Sequence, residues 1–418
     1  MAAGCAMTLA LALGAIGAPV AGAEPSGGSL TTDTYSGGAG SLKYQLFVPP
    51  NYNASTPAPL VVALHGCTQT ADSFRQLTQF DDLAANKGFI VVYPEQSSAS
   101  NQFSCWNWFQ QQHQSRGAGE PSMIAGITWT IQQKYSIDPK RIFVAGFSAG
   151  GAMAEVMAAT YPDMYAAAGV GSGCEYQAGA PCAGYQSEDP KTSGEAAYKA
   201  MGEHARAMPT VIFQGDQDHT VPPKNADQLI QSNLVTADMA DGKADGSMPT
   251  RPAKTESHRA SGGESYTVRY YADGKGHELM QYWTVNGMGH AWSGGNAAQM
   301  YSDPKGPDES AAMYDFFTNH PMGSPGPPLG CAGTAGGTGV PRVPRIPGMP
   351  TTASAPGTPS IPSVPGTPSI PSVPGMPTGG CIGMPNVPTN VPTSLPNAPG
   401  IPGVPSVPSI PGLPTTGQ

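Results

Sequence analysis

Every phenylalanine, tyrosine and tryptophan of this 418-residue chain lies before Met322. The 96 residues that follow also lack Asp, Glu, Lys and His, and they hold 25 of the chain's 45 prolines. A stretch with no aromatic side chain and a proline in every third or fourth place cannot build a core. The first 322 residues carry all charges except Arg342 and Arg345 and are long enough to enclose a real interior. The expected organisation is therefore one folded domain over residues 24–322 and a low-complexity tail over 323–418. Within the tail, the run Gly357-Thr-Pro-Ser-Ile-Pro-Ser-Val-Pro365 recurs unchanged at Gly366 to Pro374, and Pro402, Pro405, Pro408, Pro411 and Pro414 keep a period of three. That period matches polyproline II, which needs no internal hydrogen bonds, so an extended, semi-stiff spacer is expected. Attachment to a cell wall or a polymer surface is the functional alternative for it.

Residues 6 to 20 form an apolar run too short to span a bilayer comfortably, and Ala21-Gly22-Ala23 follows it. This is the pattern of a secretory signal over residues 1–23, although the first basic side chain comes only at Lys43. An exported, extracellular protein without a transmembrane segment is expected. Up to Met322 the chain has 18 basic against 29 acidic side chains and no basic run, which argues against nucleic acid or an anionic membrane as partner. Removal of residues 1–23 takes away Cys5 and leaves six cysteines, an even number that points to disulfides in an exported protein. Six cysteines allow 15 pairings and the sequence alone does not choose among them; the expectation, from proximity and domain membership, is Cys67 with Cys105, Cys174 with Cys182, and Cys331 with Cys381. No Cys-x-x-Cys or His-x-x-x-His spacing is present, so neither metal nor cofactor is expected.

Apolar strands alternate with helical stretches along the domain. Strands are predicted at 42–49, 59–64, 89–93, 141–146, 165–170, 210–213, 266–271 and 279–285, and helices at 72–86, 120–135, 149–160, 193–207, 224–232 and 308–319. Residues 238–263 read as a polar surface insertion. The alternation implies an α/β fold with a mostly parallel sheet covered on both faces.

Between a buried strand and an Ala- and Met-rich helix stands Gly146-Phe147-Ser148-Ala149-Gly150. This is the setting in which Gly-x-Ser-x-Gly makes a nucleophile elbow, a turn that leaves no room for Cβ atoms near the serine. A serine needs a base, and the base an orienting acid. Such folds run in the chain order serine, acid, histidine. Past the strand at 210–213 come Asp216 and Asp218 in Gly215-x-x-Asp218-x-x-Val221-Pro222, and past the strand at 279–285 comes His290 in a Gly-rich loop. Asp218 is preferred as the acid, with Asp216 bracing the turn. Oxyanion donors are expected at the Ala149 amide, on the helix start, and at the Cys67 amide, in the loop after the strand at 59–64. A Cys67–Cys105 bond would stiffen that loop and bring Trp106 and Trp108 near the serine, either as core aromatics or as crevice lining.

Six motifs in order carry a family resemblance: Leu64-His-Gly-Cys-Thr-Gln69, Tyr93-Pro-Glu-Gln96, Cys105-Trp-Asn-Trp-Phe109, Gly119-Glu-Pro121, Gly146-Phe-Ser-Ala-Gly-Gly-Ala-Met153 and Gly289-His-Ala-Trp-Ser-Gly-Gly295. Over residues 35 to 322 the chain resembles the secreted poly(3-hydroxybutyrate) depolymerase family of esterases, which also includes feruloyl and acetylxylan esterases. The resemblance implies an α/β-hydrolase fold, a Ser148–Asp218–His290 triad, an oxyanion hole from the Cys67 and Ala149 amides, and substrate contacts by Trp108 and Trp292. Members that act on polymers carry a folded binding domain after the catalytic one, whereas this chain ends in an aromatic-free proline repeat. The expected activity is hydrolysis of short-chain polyhydroxyalkanoate or its oligomers. A feruloyl or acetylxylan esterase is the alternative within the same chemistry, and a cell-wall-associated binding protein with vestigial catalysis is the alternative outside it.

Overall fold

A computed structural model describes residues 27–182 and 189–329. The expected signal segment, nearly all of the tail and the Cys331–Cys381 pair lie outside those residues. The chain divides into a unit of residues 1–337 and one of 338–418, the second wholly outside the described part.

Ten strands form one sheet: β1 (Ser29–Gly37), β2 (Gly40–Val48), β3 (Ala58–Leu64), β4 (Ile90–Glu95), β5 (Ile137–Phe147), β6 (Ala167–Gly171), β7 (Thr210–Gly215), β8 (Lys254–Arg259), β9 (Ser265–Ala272) and β10 (Glu278–Val285). Their spatial order is β1-β2-β4-β3-β5-β6-β7-β10-β9-β8. The run from β4 to β10 is parallel, and an antiparallel hairpin closes each edge. Among the described residues seven α-helices accompany the sheet: α1 (Ala71–Thr78), α2 (Phe80–Lys87), α3 (Gly119–Lys134), α4 (Ala149–Thr160), α5 (Pro190–Met201), α6 (Lys224–Ala240) and, after the last strand, α7 (Glu309–Asn319). This is the expected α/β-hydrolase architecture.

Side-chain alternation along the strands divides the core into two faces. Leu60, Val62 and Leu64 of β3 point to one side, where they join Ile124, Ile127 and Ile131 of α3 and Met153 and Met157 of α4. Val61 and Ala63 point to the other, with Phe74 of α1, Phe80 of α2, and Met313 and Phe317 of α7. Because β3 is covered on both faces, all seven of its residues are buried, which is why it reads as a continuous apolar run.

The structure departs from the sequence reading at several places. The single helix expected at 72–86 is two, because Gln79 takes the left-handed conformation between α1 and α2 (φ 54°). The expected insertion at 238–263 contains the end of α6 and all of β8. Five of the six β8 residues are exposed, so this edge strand is held by backbone pairing with β9 and leaves no apolar signature. The polar edge strand β1 lacks an apolar signature for the same reason. Beyond Met322 the described chain continues along the start of β10, where the Glu278 amide donates to Pro327 O (2.8 Å) and the Leu329 amide to Gly276 O (2.9 Å).

Candidate active site

Ser148 joins β5 to α4 with φ 56° and ψ −119°, a region that costs a non-glycine residue on the order of 1–3 kcal/mol. The turn is possible only because its neighbours lack side chains. A Cβ on Gly146 would stand 2.1 Å from Gly150 O, and one on Gly150 would stand 2.0 Å from Leu64 O. The helix start is thus pressed directly onto the end of β3, which sets the Ser148 hydroxyl at the carboxyl edge of the sheet, beside the loop that begins at His65.

The other two predicted residues arrive from neighbouring strand ends. Asp218 follows β7, His290 follows β10, and β7 and β10 are parallel neighbours. His290 Nε2 lies 3.0 Å from Ser148 Oγ, and His290 Nδ1 lies 2.8 Å from Asp218 Oδ2. The Asp218 side chain is fully buried. Its Oδ1 accepts from the Thr220 and Val221 amides, both at 2.9 Å, and its Oδ2 also accepts from Gln214 Nε2 at 3.2 Å. Burial by itself would raise this carboxyl. The hydrogen bond and charge of His290, together with the two amides, outweigh burial and hold it below the ordinary value. Asp216 has the bracing role expected of it, since its Oδ1 accepts from the Gly287 amide of the histidine loop at 2.7 Å.

Cys67 and Ala149 both line the pocket in front of Ser148. Among the described residues neither amide donates to a protein acceptor, which leaves two N–H groups for a developing oxyanion. The Cys67–Cys105 disulfide ties the donor loop to the segment that carries Trp106 and Trp108, and Cys174–Cys182 forms as predicted. Beneath the donor loop is a buried polar network. Trp106 Nε1 donates to His65 O at 3.0 Å, and the Gln96 amide donates to His65 Nε2 at 3.0 Å. Glu120 accepts from the Asn107 amide (2.7 Å), from Asn107 Nδ2 (2.6 Å) and from the Gln96 side chain. Burial lowers the His65 imidazole to about 4, so this ring is neutral, as its single donor and single acceptor roles require.

The pocket encloses about 190 Å³. Its wall is mostly apolar: Trp108, Phe147, Ala152, Val221 and the Cys174–Cys182 bridge. Trp108 therefore stands where a substrate contact was expected, and its buried indole N–H has no partner among the described residues. Trp106 is a core aromatic. Trp292 is corrected: it is completely buried on the far face of the sheet, edge-on to Phe74 and Phe80, with Nε1 donating to Ser310 Oγ at 3.1 Å. It packs in the core beneath the histidine loop and is not part of the pocket lining. Tyr301 is a site residue that the sequence reading does not find. It lines the pocket, and its ring centroid is 6.2 Å from that of His290. No spacing rule singles it out, since it is positioned by a two-residue parallel pairing of Trp292-Ser293 with Ser302-Asp303.

A serine whose proton can pass to a carboxylate-oriented imidazole, beside two unpaired amides, can perform acyl transfer. Comparison with known proteins agrees with this chemistry. The family model described as "Esterase PHB depolymerase" matches residues 42–253, just over half of the chain. Poly(3-hydroxyalkanoate) depolymerase C of Paucimonas lemoignei is 33% identical over 261 residues, covering 60% of this chain and 58% of the relative. Probable acetylxylan esterase A of Aspergillus fumigatus is 35% identical over 233 residues, covering 52% and 61%. The chain thus spans about three fifths of the length of these two relatives. A solved acetyl xylan esterase from Aspergillus awamori is similar in fold, with a TM-score of 0.55 and 25% identity over 70% of this chain and 99% of that one.

Proposed function

We propose, since this chain belongs to the Esterase PHB depolymerase family, that it is a secreted serine esterase cleaving the ester bonds of short-chain polyhydroxyalkanoate or its oligomers through an acyl-enzyme. The observation that carries this reading is the hydrogen-bonded series Asp218, His290, Ser148 opening on a small apolar pocket. In the first half-reaction Ser148 Oγ attacks the ester carbonyl carbon as His290 Nε2 takes its proton. The carbonyl oxygen becomes an oxyanion facing the Cys67 and Ala149 amides. Collapse of the tetrahedral intermediate breaks the ester C–O bond, and the departing alcohol takes the proton from His290. Water then repeats the sequence on the acyl-serine, with His290 as base, and releases the acid. Asp218 keeps the ring in the productive tautomer and stabilises the transient imidazolium.

Pocket size supports a short acyl group. Sites for drug-sized molecules run from about 300 to 1,000 Å³, and this one is smaller. The unpartnered Trp108 N–H is a donor available to a carbonyl or hydroxyl of that group. The two disulfides support export, since such bonds persist in oxidising compartments. An acetyl group on a polysaccharide would fit the same pocket, and the acetylxylan esterases among the relatives make it the second reading. A feruloyl group, with its ring and propenoyl arm, asks for a deeper one.

The test is product release by the purified protein from amorphous poly(3-hydroxybutyrate), acetylated xylan and methyl ferulate, with Ser148→Ala as the blank. Release of 3-hydroxybutyrate, abolished in the blank, is the expected result. Release of acetate or ferulate alone would keep the mechanism and reject the polyester.

A further inference from the structure

Two carboxyl groups hold the ends of the loop that carries His290. Before the histidine, Asp216 Oδ1 takes the Gly287 amide. After it the carboxyl is Glu309, in the first turn of α7, whose Oε2 takes the Ser293 amide at 2.9 Å. Their surroundings differ. Asp216 is exposed, whereas Glu309 is 0% exposed and its Oε1 has no hydrogen-bond partner among the described residues. Burying an acid is costly. What the acid supplies here, and an apolar side chain of equal volume would not, is an acceptor.

The backbone around Ser293 shows why one is needed. The short pairing of Trp292-Ser293 with Ser302-Asp303 turns the Trp292 amide to Tyr301 O and the Gly294 amide to Asp303 O, both at 2.7 Å. Directions alternate along an extended chain, so the Ser293 amide between them faces away from that partner. Ser293 is fully buried, and Glu309 Oε2 is the acceptor that keeps this N–H from being orphaned. The same turn also holds the Ser293 side chain, whose Oγ donates to Pro307 O at 2.7 Å. Glu309 reaches the nucleophile's side as well. A Cβ on Gly171 would stand 2.5 Å from Glu309 Oε1, so the carboxyl rests against bare main chain at the end of β6. The Gly171 carbonyl in turn accepts the Ser148 amide at 2.8 Å. One side chain thus lies between the backbone that holds Ser148 and the backbone that holds His290.

We propose that Glu309 is a positioning residue for the triad: by fixing the Ser293 amide, its Oε2 sets how His290, three residues earlier in the chain, reaches Ser148 and Asp218. This rests on the triad reading of the site. The role calls for an acceptor and not for a charge. Burial raises the Glu309 carboxyl well above its ordinary value, the Ser293 amide opposes that rise, and Asp308 beside it adds to it. The neutral acid keeps one acceptor oxygen for Ser293.

The test compares two substitutions of similar volume in the full-length protein. Glu309→Gln keeps an acceptor for the Ser293 amide, and Glu309→Met keeps the bulk but removes the acceptor. On p-nitrophenyl butyrate, kcat of the Gln variant should stay within about threefold of the parent. That of the Met variant should fall roughly 10- to 100-fold with KM nearly constant, because misplacing a reacting group by about 1 Å costs on the order of 10²-fold. The far-downfield proton resonance of the His290 Nδ1–H, hydrogen-bonded to Asp218, should persist in the parent and the Gln variant and broaden or vanish in the Met variant. Equal kcat in the two variants would overturn the inference, either as space filling, if both match the parent, or as a need for charge, if both are slow. Should the Met variant not fold, the Gln variant decides: the parent's rate with the resonance intact supports the acceptor role, and a tenfold fall overturns it. If Ser148→Ala keeps the parent's rate, the triad reading itself fails and the inference falls with it, whereas failure of the inference alone leaves Ser148→Ala inactive.

Discussion

On one side of Ser148 the proposed catalytic apparatus is backbone: the amides of Cys67 and Ala149, held by glycines that admit no side chain and by a disulfide. On the other side it is side chains: Asp218 and His290, held in line by hydrogen bonds from Thr220, Val221 and Gln214. The difference teaches where each half is vulnerable. A backbone donor cannot be deleted by substitution, only displaced, so damage to that half should show first in stability. A side-chain relay can be cut chemically while the fold stands, so damage to the other half should show first in turnover.

The largest effect should come from cutting the relay. Asp218→Asn keeps the shape but presents the wrong tautomer of His290, and kcat on a soluble ester should fall by roughly 10⁴-fold with little loss of melting temperature. The depressed carboxyl also predicts a pH signature. It contributes stability that is full above the ordinary aspartate value near 3.9 and lost as pH falls through its lower folded value. Acid titration of the melting temperature should therefore be shallower in Asp218→Asn than in the parent. Were the melting temperature to collapse at neutral pH instead, the two halves would not differ as argued.

Gly150→Ala attacks the backbone half. Its Cβ would meet Leu64 O at 2.0 Å, and the obstacle is main chain rather than a flexible side chain. A destabilisation at or above the upper end of overpacking penalties, about 3 kcal/mol, is expected, read by chemical denaturation. Replacing Cys67 and Cys105 together by Ser should cost about 2–4 kcal/mol in the same assay. The double variant should also lose turnover at temperatures below its melting point, as the Cys67 amide is freed to wander. The smallest effect is predicted for Asp216→Ala, which removes the brace on Gly287. A loss of roughly fivefold in kcat is expected with KM nearly constant, because a single hydrogen bond is worth about 1 kcal/mol net. A loss as deep as that of Asp218→Asn would exchange the roles of the two aspartates.

Much of this architecture is legible in the amino-acid sequence. The elbow is local in sequence, since a strand, five residues and a helix suffice to define it, and the limits of α4 coincide with the helix predicted at 149–160. Asp218 and His290 are readable because chain order and strand ends restrict where acid and base can stand. The elements that sequence does not reveal share a physical origin. β1 and β8 are stabilised by partners and not by their own side chains, so no periodicity announces them. Gln79 breaks a helix through a backbone conformation that its residue type does not demand.

The sequence by itself determined the mostly parallel sheet and the short list of residues proposed for the Ser148 site, because each depends on apolar periodicity, on glycine at a turn or on a few reactive groups. Only the tertiary structure decided between the tryptophans. Trp108 and Trp292 stand equally near motif residues in the chain, yet one lines the pocket and the other is sealed behind the sheet against Phe74 and Phe80. The tertiary structure also brought the Tyr301 hydroxyl and the Phe103 carbonyl within hydrogen-bonding reach of Thr68. Which side of a sheet a loop residue reaches is set by how its whole loop packs, and that is a property of the assembled core rather than of any segment.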